Sequence, residues 1–178
     1  DDGCVACAFG KFSSAQGAAL ELTCNACPAG KRGDPTNVGT ANAHCTACDP
    51  GTYQGTAAQT TCAECDSGKF GPAAGSALCT ACVAGRFTNL KKQTACTQCD
   101  AGMYTSSAAQ TVCINCEHGR YQHAKAQAAC IACGAGKYGN QAGQKAENNF
   151  PNSGDGCKNC GNGKYSSAQG AVVESQCN

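Results

Sequence analysis

Along this chain the large apolar residues do not fall into stripes. No stretch shows the 3.6-residue recurrence of an amphipathic helix, and the segments between cysteines are short and polar. What recurs is a single ring: a glycine, one variable residue, then tyrosine or phenylalanine. It appears as Gly51-Thr52-Tyr53, Gly68-Lys69-Phe70, Gly85-Arg86-Phe87, Gly102-Met103-Tyr104, Gly119-Arg120-Tyr121 and Gly136-Lys137-Tyr138. This pattern predicts short β-segments around Gly-x-Tyr/Phe, joined by turns. The glycine is expected to take a positive φ or to admit another backbone at close range.

The ring is locked to a beat of cysteine pairs. Cys-x-x-Cys recurs at Cys45/Cys48, Cys62/Cys65, Cys79/Cys82, Cys96/Cys99, Cys113/Cys116 and Cys130/Cys133, in steps of 17 residues. Several repeats close on Gln-x-x-Cys, at Gln59, Gln93, Gln110 and Gln127. A fixed short period is the signature of a quasi-one-dimensional repeat protein. The outer repeats are less regular. Cys4/Cys7 leads to Gly10-Lys11-Phe12, Cys24/Cys27 to Gly30-Lys31-Arg32 with Arg32 in the ring's place, and Cys157/Cys160 to Gly163-Lys164-Tyr165 and Cys177. Residues 1–178 thus read as one continuous array of about nine repeats, with insertions at 31–44 and 139–156. Residues 156–178 also align without gaps on 3–25, an offset of 153 residues that points to a super-repeat: Ser13-Ser14-Ala15-Gln16 returns as Ser166-Ser167-Ala168-Gln169.

Composition changes the picture of the core. Leu, Ile, Val and Phe make up only 17 of 178 residues, below the ~20% at which a conventional core becomes doubtful. Net charge is only +1 and cysteines number 19, so covalent staples replace the missing core. The expected fold is small and disulfide-rich, mostly irregular with short β-strands, extended into an elongated, solenoid-like ladder of repeats. Eight of the ten aromatics occupy the slot after the glycine: Phe12, Tyr53, Phe70, Phe87, Tyr104, Tyr121, Tyr138 and Tyr165. Each ring is expected to pack on disulfides as the core of its own repeat, and each repeat to touch only its neighbours.

Cysteine at this density implies an oxidising, extracellular setting. No apolar run approaches the ~18 residues of a membrane span, and Asp1 opens no signal-peptide pattern, so it is expected to be a mature N-terminus or an interior cut. Lys and Arg are scattered rather than clustered, which argues against nucleic acid. There is no Asn-x-Ser/Thr sequon; O-glycans on the Ser/Thr-rich loops stay open. Paired Cys-x-x-Cys motifs also build zinc ribbons, but nine pairs cannot be shared evenly among four-cysteine sites. A thioredoxin-type site needs a βαβ context that the pattern lacks. His44, His118 and His123 lie in loops without a nucleophile–base constellation, so neither catalysis nor a cofactor or metal is expected.

The order Cys-x-x-Gly-Lys/Arg-Tyr/Phe, a loop of about ten residues, then Cys-x-x-Cys resembles the cysteine-rich repeats called ephrin-receptor-like. It is also similar to the first submodule of tumour-necrosis-factor-receptor cysteine-rich domains and to the C-terminal loop of EGF-like modules. In those modules the cysteine before x-x-Gly-x-aromatic bonds the next cysteine downstream. The resemblance thereby implies Cys7–Cys24, Cys27–Cys45, Cys48–Cys62, Cys65–Cys79, Cys82–Cys96, Cys99–Cys113, Cys116–Cys130, Cys133–Cys157 and Cys160–Cys177, leaving Cys4 for a partner upstream. The rival scheme, bonding inside each Cys-x-x-Cys, leaves the long loops unconstrained and strands Cys177. Tandem arrays of this kind resemble those on protist and algal surfaces, including ciliate surface antigens and flagellar hairs. The expectation is therefore a segment of a longer structural array, part of a cell-surface filament, hair or coat, that assembles with itself or with another filament protein. The alternative is the ligand-binding stalk of a surface receptor, using the loops 31–44 and 139–156.

Overall fold

A computed structural model describes residues 7–13, 24–33, 45–145 and 156–178. Cys4, His44, Phe150, most of the two insertions and the Ser14–Glu21 half of the super-repeat comparison lie outside the described residues.

The architecture is a succession of small hairpins. Eight two-stranded antiparallel pairs are formed among the described residues. Their first strand is the residue after the glycine together with the ring, and their second is the x-x between two cysteines. Thus Thr52–Tyr53 pairs with Ala63–Glu64 and Lys69–Phe70 with Thr80–Ala81. Arg86–Phe87 pairs with Thr97–Gln98, Met103–Tyr104 with Ile114–Asn115 and Arg120–Tyr121 with Ile131–Ala132. Lys137–Tyr138 pairs with Lys158–Asn159, and Lys11–Phe12 with Asn25–Ala26. Where Arg32 replaces the ring, the pair Lys31–Gly33 with Cys45–Ala47 is one residue longer. The strands predicted around Gly-x-Tyr/Phe are present except at Lys164–Tyr165, where Tyr165 exchanges two backbone hydrogen bonds with Asn178 without forming a strand, and the tandem, disulfide-rich, nearly helix-free fold is as expected. The only helical element described is a 3₁₀ turn at Glu174–Gln176.

Two-residue strands cannot hold a hairpin by themselves, and two devices complete each one. A tight turn precedes the first strand: Thr52, Lys69, Arg86, Met103 and Arg120 donate their backbone N–H to the carbonyls of Asp49, Asp66, Val83, Asp100 and Glu117. Glycine stands at the third position of each turn, with φ between 76° and 84° at Gly51, Gly68, Gly85, Gly102 and Gly119, the region that L side chains avoid. A disulfide then closes the far side. Cys7–Cys24, Cys27–Cys45, Cys48–Cys62, Cys65–Cys79, Cys82–Cys96, Cys99–Cys113, Cys116–Cys130, Cys133–Cys157 and Cys160–Cys177 are joined. These are the pairs that the family resemblance implies. Their Cα atoms lie 5.4–5.8 Å apart.

The chain divides into two compact units. One comprises 1–81 and 90–95, the other 82–89 and 96–178.

Candidate functional site

With so little apolar side chain, the surface on which successive hairpins meet is the part of the molecule that must specify its architecture. Three backbone hydrogen bonds recur there. In the first unit, Gly51 N–H donates to the Gly71 carbonyl, Gly71 N–H to Gln93 and Lys92 N–H to Cys65. In the second unit, Gly102 N–H donates to Gln122, Thr105 N–H to Gln127 and Ala126 N–H to Cys99. The same triplet repeats along each unit with Gly30, Gly85 and Gly119 in the glycine role. Stacking thus rests mainly on main chain, with few side chains taking part.

The middle of each loop turns back through a left-handed residue: Ala58, Gly75, Lys92, Ala109, Ala126, Gly143 and Gly170 have φ between 58° and 76°. Four of them are not glycine. The glutamine that follows holds the turn, since the Gln59, Gln93, Gln110 and Gln127 side-chain amides donate to the carbonyls of Ala57, Lys91, Ala108 and Lys125. The Gln-x-x-Cys motif is therefore a local turn lock whose own backbone carbonyl serves the stack. A left-handed alanine is disfavoured by about 1–2 kcal/mol, against 0.5–1 kcal/mol for the extra chain entropy of glycine. Replacing exposed Ala109 by glycine, as Gly75 and Gly143 already are, is expected to stabilise the chain by up to about 1 kcal/mol. Slower hydrogen exchange at the Ala109 amide reads this out; faster exchange would contradict it.

Contacts reach beyond the adjacent repeat. A Cβ built on Gly51 would stand 2.3 Å from the Lys92 carbonyl oxygen, and one on Gly102 would stand 2.2 Å from that of Gly143. Each partner lies two disulfide loops downstream, so the expectation that repeats touch only their neighbours is corrected. The hairpin glycine is small because a third repeat passes over it.

The interior is built from sulfur and satisfied polar groups. Cys27, Cys48, Cys65, Cys82, Cys99, Cys116 and Cys133, which open seven of the nine loops, are fully buried; Cys7 and Cys160, which open the other two, are half-buried. Beside them sit Thr105, whose Oγ1 accepts from Gly85 N–H, and Gln122, whose Nε2 donates to the Ala129 carbonyl. Gln144 is buried too, with Nε2 donating to the Gly156 carbonyl. It stands one period after Gln127, so the 139–156 insertion keeps the regular register this far and expands only afterwards.

The aromatic row departs from expectation. Phe12, Tyr53, Phe70, Phe87, Tyr104 and Tyr138 are only half-buried. Tyr121 is the exception, 6% exposed and clustered with Cys133 and Cys157. Tyr165, expected in the core, is 68% exposed. A two-residue strand cannot shield both faces of a ring, so burial depends on what packs over each one: Tyr121 is bridged by Gln144, whereas among the described residues Tyr165 is left open. Tyr121→Ala is accordingly expected to cost about 3–5 kcal/mol, and Tyr165→Ala less than about 0.5 kcal/mol. Tyr104→Ala should fall between, and local hydrogen exchange would expose any other order.

Two ion pairs, two periods apart, each join one loop to the next at the same offset: Lys91–Asp66 at 3.1 Å and Lys125–Asp100 at 2.8 Å. The Lys125 ammonium, by hydrogen bond first and charge second, holds the Asp100 carboxyl below its ordinary value of 3.8, while Asp100 raises Lys125 above 10.5. Both groups are fully exposed, so the contribution is small and screened by salt. Its sign is definite: it is present between the two ordinary values, fades as pH falls through the lowered Asp100 value, and fades again as pH rises through the raised Lys125 value. A carbon-detected titration of Asp100 is expected to show the depressed midpoint, restored towards 3.8 by Lys125→Ala.

His118 and His123 are exposed, with the His123 ring 6.1 Å from that of Tyr121. All eighteen described cysteines are in disulfides, so none offers a thiolate to a metal. No group of three or more His, Cys, Asp or Glu is arranged to hold a metal ion among the described residues.

The family model described as tyrosine-protein kinase ephrin type A/B receptor-like matches three tandem stretches, 36–77, 68–111 and 105–149. The chain belongs to the ephrin-receptor-like repeat family. A search of curated proteins finds no match. The matched windows overlap, and each spans more than one ephrin-receptor-like hairpin, in keeping with contacts that run to the second neighbour. Family and disulfides together point to an extracellular or secreted domain. Among the described residues, no helix is long and apolar enough to cross a membrane.

Proposed function

We propose that this ephrin-receptor-like chain is a non-catalytic structural array, a segment of an extracellular filament, hair or coat that assembles with itself or with another filament protein. The observation that carries the reading is the stack itself: the same three backbone bonds join one hairpin to the next, whatever side chains the repeats bear. A surface built this way favours repetition over a unique recognition patch. Scattered charge and alanine- and serine-rich loops suit a coat.

The receptor-ectodomain alternative draws on the family's own description. Of the loops it would use, 31–44 and 139–156, residues 34–44 and 146–155 lie outside the described residues. Negative-stain microscopy of native material together with the parent transcript separates the two. Filaments and a long run of further repeats support the structural reading. A membrane span followed by a cytoplasmic domain, with no filaments, would overturn it.

A further inference from the structure

Two clefts in the molecule are lined by equivalent positions three 17-residue periods apart. The larger, about 270 Å³, lies in the second unit and is lined by Tyr104, Ser106, Glu117, Arg120, Ala129 and Cys130. The smaller, about 150 Å³, lies in the first unit and is lined by Tyr53, Asp66, Lys69, Leu78 and Cys79. Tyr, acid and base therefore recur as a set: the ring of one hairpin, and the residues that follow the opening cysteine and the glycine of the next. At the intervening periods the set is broken, to Phe70, Val83 and Arg86, and to Phe87, Asp100 and Met103.

We infer that each cleft is a subsite for one neutral pyranose ring of a glycan. Both clefts are smaller than the ~300–1,000 Å³ of sites for drug-sized ligands. A half-buried tyrosine offers an apolar face together with a polar hydroxyl. The carboxylate accepts from sugar hydroxyls, and the guanidinium or ammonium donates to their oxygens. One acid and one base per cleft leave no net charge, which favours an uncharged polyol over an anion or cation. Arg120 is held in place, its Nη1 donating to the Cys130 carbonyl at 3.3 Å. Asp66 is shared with Lys91, whereas Glu117 carries no ion pair among the described residues. The Tyr104 cleft is thus the stronger of the two. This inference does not depend on filament assembly.

The test is a titration of the recombinant, glycan-free, disulfide-bonded chain followed by amide NMR. The probes are maltose, cellobiose and lactose, with sialyllactose as the anion and glycylglycine as the zwitterion. The neutral sugars are expected to shift the amides of Tyr104, Glu117 and Arg120, and more weakly those of Tyr53, Asp66 and Lys69, leaving Phe87, Asp100 and Met103 unmoved. Glu117→Gln, an exposed and nearly isosteric change, should weaken binding at that cleft about tenfold without moving the Tyr53 cleft. If native material binds these sugars only after deglycosylation, the occupant is the protein's own glycan and the subsite stands. No shift with any neutral sugar, binding of glycylglycine or sialyllactose alone, or an unchanged response in Glu117→Gln would overturn it.

Discussion

Gly51→Ala is expected to disrupt the stack of the first unit, at a cost of about 3–5 kcal/mol, whereas Gly75→Ala should cost only about 1–2 kcal/mol. The two glycines share nearly the same left-handed backbone, φ 81° and 75°, so the conformational penalty is common to both. What differs is the space. The new methyl on Gly51 would stand 2.3 Å from the Lys92 carbonyl oxygen and 2.7 Å from its carbon, both main chain that cannot rotate away. The methyl on Gly75 meets nothing nearer than 3.8 Å. Relief at Gly51 requires the Lys92 turn to lift, which stretches the bonds from Lys92 N–H to Cys65 and from Gly71 N–H to Gln93. Hydrogen exchange at Lys92 and Gly71 should accelerate in Gly51→Ala and stay near native in Gly75→Ala. Equal effects would mean that the penalty is conformational alone and that the third-repeat contact carries no weight.

Removal of one disulfide is the second large effect. The Cys99→Ala/Cys113→Ala double variant opens a loop of sequence separation 14, which the chain-entropy treatment values at about 3 kcal/mol. The loss should exceed that value. Fully buried Cys99 also donates its N–H to Gly85 and accepts at its carbonyl from Ala126 N–H, so its position fixes both neighbours. The damage is expected to run from the Gly85 turn to the Ala126 turn, while the first unit keeps its exchange protection. A change confined to residues 99–113 would show that the hairpins are held independently.

Much of this architecture is legible in the sequence. The 17-residue beat set the repeat, and the fixed Gly-x-Tyr/Phe frame marked the turn and the first strand. The second strand was missed because Ala63–Glu64 or Thr97–Gln98 look like spacers between cysteines; nothing in two polar residues announces a strand. The rings carry less of the core than their recurrence predicts. Burial of Tyr104 or Tyr165 depends on what the next loop lays over it, and periodicity says which residues recur, not which are covered. The left-handed turns at Ala58, Lys92, Ala109 and Ala126 escaped notice for a physical reason: those residues carry no glycine to flag a positive φ. The glutamine that locks each of them was visible, but its purpose was not.

The distribution of irregularity has a practical consequence. Regular loops separate bonded cysteines by 14 residues, yet Cys133–Cys157 spans 24 and Cys160–Cys177 spans 17. In these two of the four expanded loops the Gly143–Gln144 and Gly170–Ala171 turns keep their distance from the opening cysteine and their bonds to the preceding repeat. All extra length enters between that turn and the closing cysteine. The stretch between the left-handed turn and the closing cysteine therefore acts as an expansion joint, the natural place to graft an epitope tag or fluorophore loop while the turn keeps its bonds to the preceding repeat.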